Sequence, residues 1–401
     1  MGHDLDPSQP RPELWPLDPD VAFLNHGSFG ACPKAVLAYQ QRLRDELEQQ
    51  PVRFFLDGFG ERVDAALGAL GRFLGAAGDD LAFVDNATAG VNAVLKSLRL
   101  RLGDELLVTD HEYNACRNAL DLVAHDAAAR VVVVEVPFPI DSADRVVDLV
   151  LAKVTGRTRL ALLDHVTSPT GLVLPIERLI AELKEHGVDT LVDGAHAPGM
   201  VDLDIGRLDP AYYTGNCHKW LCAPKAAGFL YVRRDLQQTC RPLVTSHGAN
   251  ADDSVRSRFR LEFDWPGTHD PTPYLCVPEA IRYLEASFPG GWPELRERNR
   301  MLALEARNLL VDALGAPLPC PDDMIGSLAA VPLPDGPATP PTSALYSEPL
   351  REELLRKYRI EVPVVPWPAP PKRLVRVSAQ LYNARDQYRR LADALVELLG
   401  L

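Results

Sequence analysis

Lys219 stands in the stretch Tyr212-Tyr-Thr-Gly-Asn-Cys-His-Lys-Trp220, amid aromatic residues. Desolvation among rings lowers the pKa of an amine and favours its neutral, nucleophilic form. The chain holds only eight lysines, so chemistry that needs an amine has few other candidates. Upstream, Asp193 closes the apolar run that begins at Thr190. A carboxylate at the end of a buried strand is costly unless a cation meets it, and a protonated pyridine nitrogen is such a cation. Earlier still, Asn86-Ala-Thr-Ala-Gly90 has the composition of a helix start. Asn86 is a good N-cap, and the free N–H groups of Ala87, Thr88 and Ala89, with the Thr88 hydroxyl, form an anion site. His111 and Tyr113, in Thr109-Asp-His-Glu-Tyr-Asn114, each offer a flat ring. Anion cradle, ring, carboxylate and amine together fit pyridoxal 5′-phosphate. The phosphate needs donors, the ring a stacking partner, the pyridine nitrogen a carboxylate and the aldehyde a lysine.

Such residues must be carried to neighbouring strand ends. Short apolar runs at 81–85, 106–110, 131–136, 160–165, 190–193 and 228–232 alternate with helical faces such as Val91, Val94, Leu95, Leu98 and Ile176, Leu179, Ile180, Leu183. This pattern predicts an α/β fold with a mostly parallel sheet covered by helices, with its ligand at the carboxyl ends of the strands. After about residue 265 the texture changes to helices at 278–287, 294–314, 347–357 and 384–399 around short strands near 327–331 and 374–377. The Pro-rich stretches 332–341 and 363–371 read as loops. The expected organisation is an N-terminal arm (1–20), a segment packing on the small domain (21–60), a large cofactor domain (61–265) and a small α+β domain (266–401).

Composition narrows the partners. Forty-two Lys and Arg against 55 Asp and Glu leave a net charge of −13, and no basic block is present, so neither nucleic acid nor an anionic membrane surface is expected. No apolar run approaches the ~18 residues of a membrane span. The start, acidic and Pro-rich, lacks the basic-then-apolar order of a signal peptide, and a soluble cytoplasmic protein is expected. The seven cysteines form no CxxC pair, which supports neither a disulfide framework nor a metal cage.

The ordered segments DNATAG (85–90), DHEYNA (110–115), HVTSPTG (165–171), DGAHAPG (193–199) and TGNCHKW (214–220) resemble those of fold-type I pyridoxal-phosphate enzymes in the class V aminotransferase group. LNHGSFG (24–30) and EFDWPGTHDPTPYL (262–275) are similar to the isopenicillin N epimerase-like branch, and the likeness runs over nearly the whole chain. The resemblance implies that Lys219 binds the cofactor aldehyde and moves the Cα proton. It pairs Asp193 with the ring nitrogen and His196 with the ring hydroxyl. Ala87, Thr88, Asn216 and His218 match the phosphate cradle. Thr268 matches a threonine that reaches the neighbouring subunit's cofactor, which implies a homodimer with shared sites. His111 falls where relatives place the stacking imidazole. Tyr113 is expected at the substrate or as the acid at the leaving sulfur, with His111 the second candidate for that acid, and which of the two rings covers the cofactor stays open. Arg376, in VRVSAQLYN, matches the arginine that grips the substrate carboxylate, with Asn25 and His26 expected beside the substrate. Ser168 stands where cysteine desulfurases have an asparagine near the ring hydroxyl. The segment ahead of Arg376, around Glu361, carries no cysteine, and Cys320 lies too early, which argues against a persulfide-forming desulfurase. The branch points to C–S bond cleavage by β-elimination on an S-substituted cysteine in specialised biosynthesis. Epimerisation, decarboxylating oxidative deamination and transamination are the alternatives.

Overall fold

The computed structural model describes residues 9–338 and 348–401. Residues 1–8 of the expected arm, 339–341 of the first Pro-rich stretch and 347 of the expected helix lie outside the described residues. A two-residue strand, β1 (Ala22–Phe23), precedes the central sheet. That sheet comprises β2 (Leu81–Val84), β3 (Glu105–Thr109), β4 (Arg130–Val134), β5 (Thr158–Asp164), β6 (Asp189–Gly194), β7 (Tyr212–Asn216) and β8 (Gly228–Val232). Their order is β2-β8-β7-β6-β5-β3-β4. Neighbours from β7 to β4 are parallel, and β8 alone is reversed against both of its partners.

Burial on both faces explains the continuous apolar strands. Leu106, Val108, Leu160, Leu162 and Leu191 pack on one side against Val91, Val94 and Leu95 of the helix Ala87–Ser97 and Cys116 and Leu120 of the helix Asn114–Asp126. Leu107, Ala161, Leu163 and Val192 face the other side, with Val146, Val150, Ile176, Leu179 and Leu183. Each fully buried Leu or Val contributes roughly 1.5–3 kcal/mol. The strand absent from the apolar runs is β7, whose sequence YYTGN carries Thr214 and Asn216 in place of a hydrophobic stripe. Both are buried, because the helix Ala87–Ser97 comes so near that a Cβ on Gly90 would sit 2.1 Å from Thr214 Oγ1.

The C-terminal part holds β9 (Leu328–Leu333), β10 (Ile360–Glu361), β11 (Val364–Pro366) and β12 (Arg373–Ser378). β11, β12 and β9 form an antiparallel sheet in that order, and the helices Gly291–Leu314 and Arg385–Leu399 pack nearby. β1 pairs in parallel with β10, which ties the N-terminal segment to this part of the molecule. Among the described residues no helix is long and apolar enough to cross a membrane.

Candidate active site

Lys219 follows β7 on a tight loop, half-buried and enclosed by protein around its amine. Burial pushes its pKa down to about 8, and the nearby Asp193 charge keeps it from falling further. Its Nζ lies 3.3 Å from His196 Nε2. Trp220 fixes the tautomer of that histidine, because the indole N–H donates to His196 Nδ1 at 3.3 Å. A neutral imidazole whose Nδ1 accepts carries its proton on Nε2, here directed at the lysine. Burial and the Lys219 charge both hold His196 neutral.

The LNHGSFG segment lies under this loop. Gly30 has φ +71°, and a Cβ there would fall 2.0 Å from the His218 carbonyl oxygen, so only glycine allows the approach. His26 is fully buried. Its Nε2 is 3.0 Å from the Lys219 carbonyl oxygen and its Nδ1 is 2.9 Å from the Tyr382 hydroxyl. The carbonyl can only accept, so Nε2–H donates to it and Nδ1 receives the tyrosine proton. Asn25 donates from Nδ2 to Glu361 at 3.1 Å and accepts the Ser28 hydroxyl at 2.5 Å. In this structure both side chains, expected beside the substrate, bond within the protein. His26 steadies the backbone of the lysine, and Asn25 orients Ser28.

Asp193 is buried at the end of β6. One carboxylate oxygen accepts the Ala195 N–H at 2.8 Å, and the other accepts the Cys116 thiol at 3.2 Å. Desolvation nonetheless raises its pKa. Asp164, its register partner on β5, and Glu112 are also buried beside it.

The helix start at 87 differs from expectation. The Ala87 N–H is taken by Asn216 Oδ1 at 2.9 Å, and the Ala89 N–H by the Asn86 cap at 2.9 Å. Of the three donors expected to be free, Thr88 N–H alone finds no acceptor among the described residues. His218 donates from Nδ1 to the Ala227 carbonyl at 3.0 Å, and burial pushes its pKa down to about 4. Neutral His218 therefore presents a lone pair at Nε2, and it donates to an anion only after the anion's charge draws a proton there.

His111 is buried, with Nε2–H donating to the Val136 carbonyl at 2.8 Å and Nδ1 2.8 Å from the Thr170 hydroxyl. Both nitrogens are engaged, which leaves the faces of the ring. Trp367 meets it edge-on at 4.5 Å between centroids. Tyr113 is 41% exposed, so the two aromatic candidates occupy different environments. Arg376, on β12, donates from Nη1 to the Ser168 carbonyl and from Nη2 to the Ser28 hydroxyl at 3.1 Å. Ser168 thus serves the arginine. Thr268 is exposed on the loop after the helix Arg258–Asp264.

The aminotransferase class-V model matches residues 53–288, more than half of the chain. This chain belongs to the class V aminotransferase family. It is 33% identical to a probable chloroplastic L-cysteine desulfhydrase of Arabidopsis thaliana, over 94% of this chain and 83% of that one. It is 36% identical to the isopenicillin N epimerase of Streptomyces clavuligerus over 96% of both chains, and 38% identical to that of Amycolatopsis lactamdurans over 95% and 96%. Among solved structures it resembles the Escherichia coli cysteine desulfurase CsdA (TM-score 0.77, 21% identity, 97% of each chain). The cystine C–S lyase C-DES in complex with cysteine persulfide is as similar in fold (TM-score 0.77, 21% identity, 94% and 98%).

The chain is therefore a pyridoxal-phosphate enzyme with the fold-type I architecture. Its residues fit that cofactor on their own chemistry. A lysine held near neutrality lies within the Coulomb field of a buried carboxylate cluster that has two oxygens without donors, Asp164 Oδ2 and Glu112 Oε2. A helix N-terminus with an available donor, Thr88 N–H, completes the set. Sequence reasoning missed Ser28, Trp220, Thr170, Asp164 and Glu112 as working residues. The signal for Asp164 was present, since the run 160–164 ends in an aspartate just as 190–193 does. The roles of the others depend on partners far away in the chain.

Proposed function

We propose that this enzyme cleaves the C–S bond of an S-substituted cysteine by β-elimination, in a specialised biosynthetic pathway. Pyridoxal phosphate, when bound, supplies the electron sink that acidifies the Cα–H bond. Lys219 takes that proton; a pKa near 8 leaves a useful neutral fraction at physiological pH. Thr88, Asn216 and His218 would hold the phosphate end, Asp193 the ring nitrogen and His196 the ring hydroxyl, with His111 offering its ring face to the cofactor. Arg376, oriented by Ser28 and Ser168, grips the substrate carboxylate and fixes the Cα–H bond for removal. The Cβ–S electron pair leaves with sulfur, Tyr113 donates a proton to give the thiol, and the three-carbon product, 2-aminoacrylate, takes up water to become pyruvate and ammonia.

The observation that carries elimination over epimerisation is the engagement of His111. Inversion needs a proton returned to the other face of Cα, and both His111 nitrogens are committed to Val136 and Thr170. Epimerisation remains the second reading, since identity to the two epimerases exceeds that to the desulfhydrase. Incubation with a panel of S-conjugated cysteines in deuterated water separates them. Thiol plus pyruvate is expected; an inverted, otherwise intact amino acid as sole product overturns elimination. Tyr113→Phe should retain the visible absorbance of the lysine-bound cofactor and slow thiol release by at least about tenfold.

We also infer a homodimer that shares its sites through Thr268. Leu243 and Val244, 46% and 51% exposed, line the same apolar hollow as Pro266 and His269, whose loop holds Thr268. A second copy would cover that face. Hybrids of Lys219→Ala and Thr268→Ala subunits should regain activity, and an active monomer would refute sharing. Seven buried, unpaired cysteines agree with a reducing, cytoplasmic setting.

A further inference from the structure

The carboxyl cluster behind Asp193 holds more acid than one ring nitrogen requires. Asp164 and Asp193 end adjacent parallel strands in register, and both face the layer of Leu162 and Leu191. Glu112, in the loop after β3, places a carboxylate oxygen within 4.8 Å of both Cys116 Sγ and an Asp193 oxygen. All three acids are at least nine-tenths buried. The groups that face them are the Lys219 amine, the Arg117 guanidinium, the Cys116 thiol and the Tyr213 hydroxyl, which is bonded to His165. Arg117 is itself bonded to Asp121.

The three acids are not equivalently equipped. Both Asp193 oxygens receive donors, as an ionised carboxylate requires. Glu112 receives one, the Tyr113 N–H at 3.1 Å, while its Oε2 is buried with no donor. Asp164 Oδ2 is buried in the same condition. A buried oxygen that no donor reaches is a poor site for negative charge, and the neutral, protonated form is the cheaper one there. Burial and mutual repulsion push Glu112 and Asp164 far above the usual carboxylate range, in the same sense as the geometry.

We propose that Asp164 and Glu112 are neutral carboxylic acids beside Asp193, leaving a single negative charge at the end of β6 for the ring nitrogen. The proposal rests on reading Asp193 as the partner of that nitrogen. Neutral, the two acids set no further charge beside the aspartate, whose plane is held by Ala195 N–H and Cys116, whereas three ionised groups would repel one another.

Infrared spectra of the holoenzyme at pH 7 test it. Two neutral carboxylic acid bands should persist to pH 9, one vanishing in Asp164→Asn and one in Glu112→Gln. The amides mimic the protonated acids, so both variants should hold the cofactor within about twofold of wild type, while Asp193→Asn weakens it at least about tenfold. Absence of the bands at pH 7, or Asp164→Asn losing cofactor as Asp193→Asn does, overturns the proposal. The wild-type titration needs no variant to fold. If the bands persist and Asp193→Asn keeps its cofactor, the failure lies in the reading of Asp193, and the inference falls with it.

Discussion

If Lys219 titrates near 8, its reactivity in the cofactor-free protein has a form that no ordinary lysine shares. At that pKa about one-tenth of the amine is neutral at pH 7 and about nine-tenths at pH 9, so reactivity climbs roughly tenfold and then levels off. A lysine near 10.4 climbs about a hundredfold over the same interval without levelling. Competitive acetylation of the cofactor-free protein with acetic anhydride, read by peptide mass spectrometry, follows each lysine separately. Acetic anhydride is a small reagent, and the exposed Lys34 provides a reference within the same sample. Asp193→Asn removes a charge that supports the protonated amine, so the inflection should move below 8. Asp164→Asn should leave it in place, because that acid is neutral in our proposal. An inflection at 10 or above, or an upward move in Asp193→Asn, would refute the reasoning.

Arg376→Lys exchanges a planar fork for a point charge and loses the paired contacts to Ser28 and Ser168; KM for the amino acid should rise at least about tenfold, with kcat less affected. Gly90→Ala drives a Cβ to 2.1 Å from Thr214 Oγ1 and should lower stability by about 1–3 kcal/mol, seen as a lower denaturant midpoint with the cofactor absent. Acid should weaken the fold through its buried histidines. His26 and His165 are pushed down by burial to about 3 and about 4, so below about 6.5 the unfolded chain binds protons that the folded chain refuses. Their stabilising contribution is complete above 6.5 and is lost as pH falls toward 4; a Tm unchanged between pH 7.5 and 4.5 would contradict this.

Much of this protein is written locally in its sequence. The apolar runs and helical stripes declare a covered, mostly parallel sheet because burial on both faces leaves a mark in every strand, β7 excepted. The motif segments name the cofactor because its phosphate, ring nitrogen and aldehyde each demand a particular residue type. Tertiary structure decided which atoms remain free to act. Asn216 reaches 129 residues back to take the Ala87 N–H, and Trp220 sets the tautomer of His196 from 24 residues further along the chain. Ser28 reaches Arg376 across 348 residues, and His26 spends both nitrogens on Tyr382 and the lysine loop. A residue's type tells what it can donate or accept. Only its neighbours in space, brought together by a fold whose contacts ignore distance along the chain, determine which of those capacities are already used.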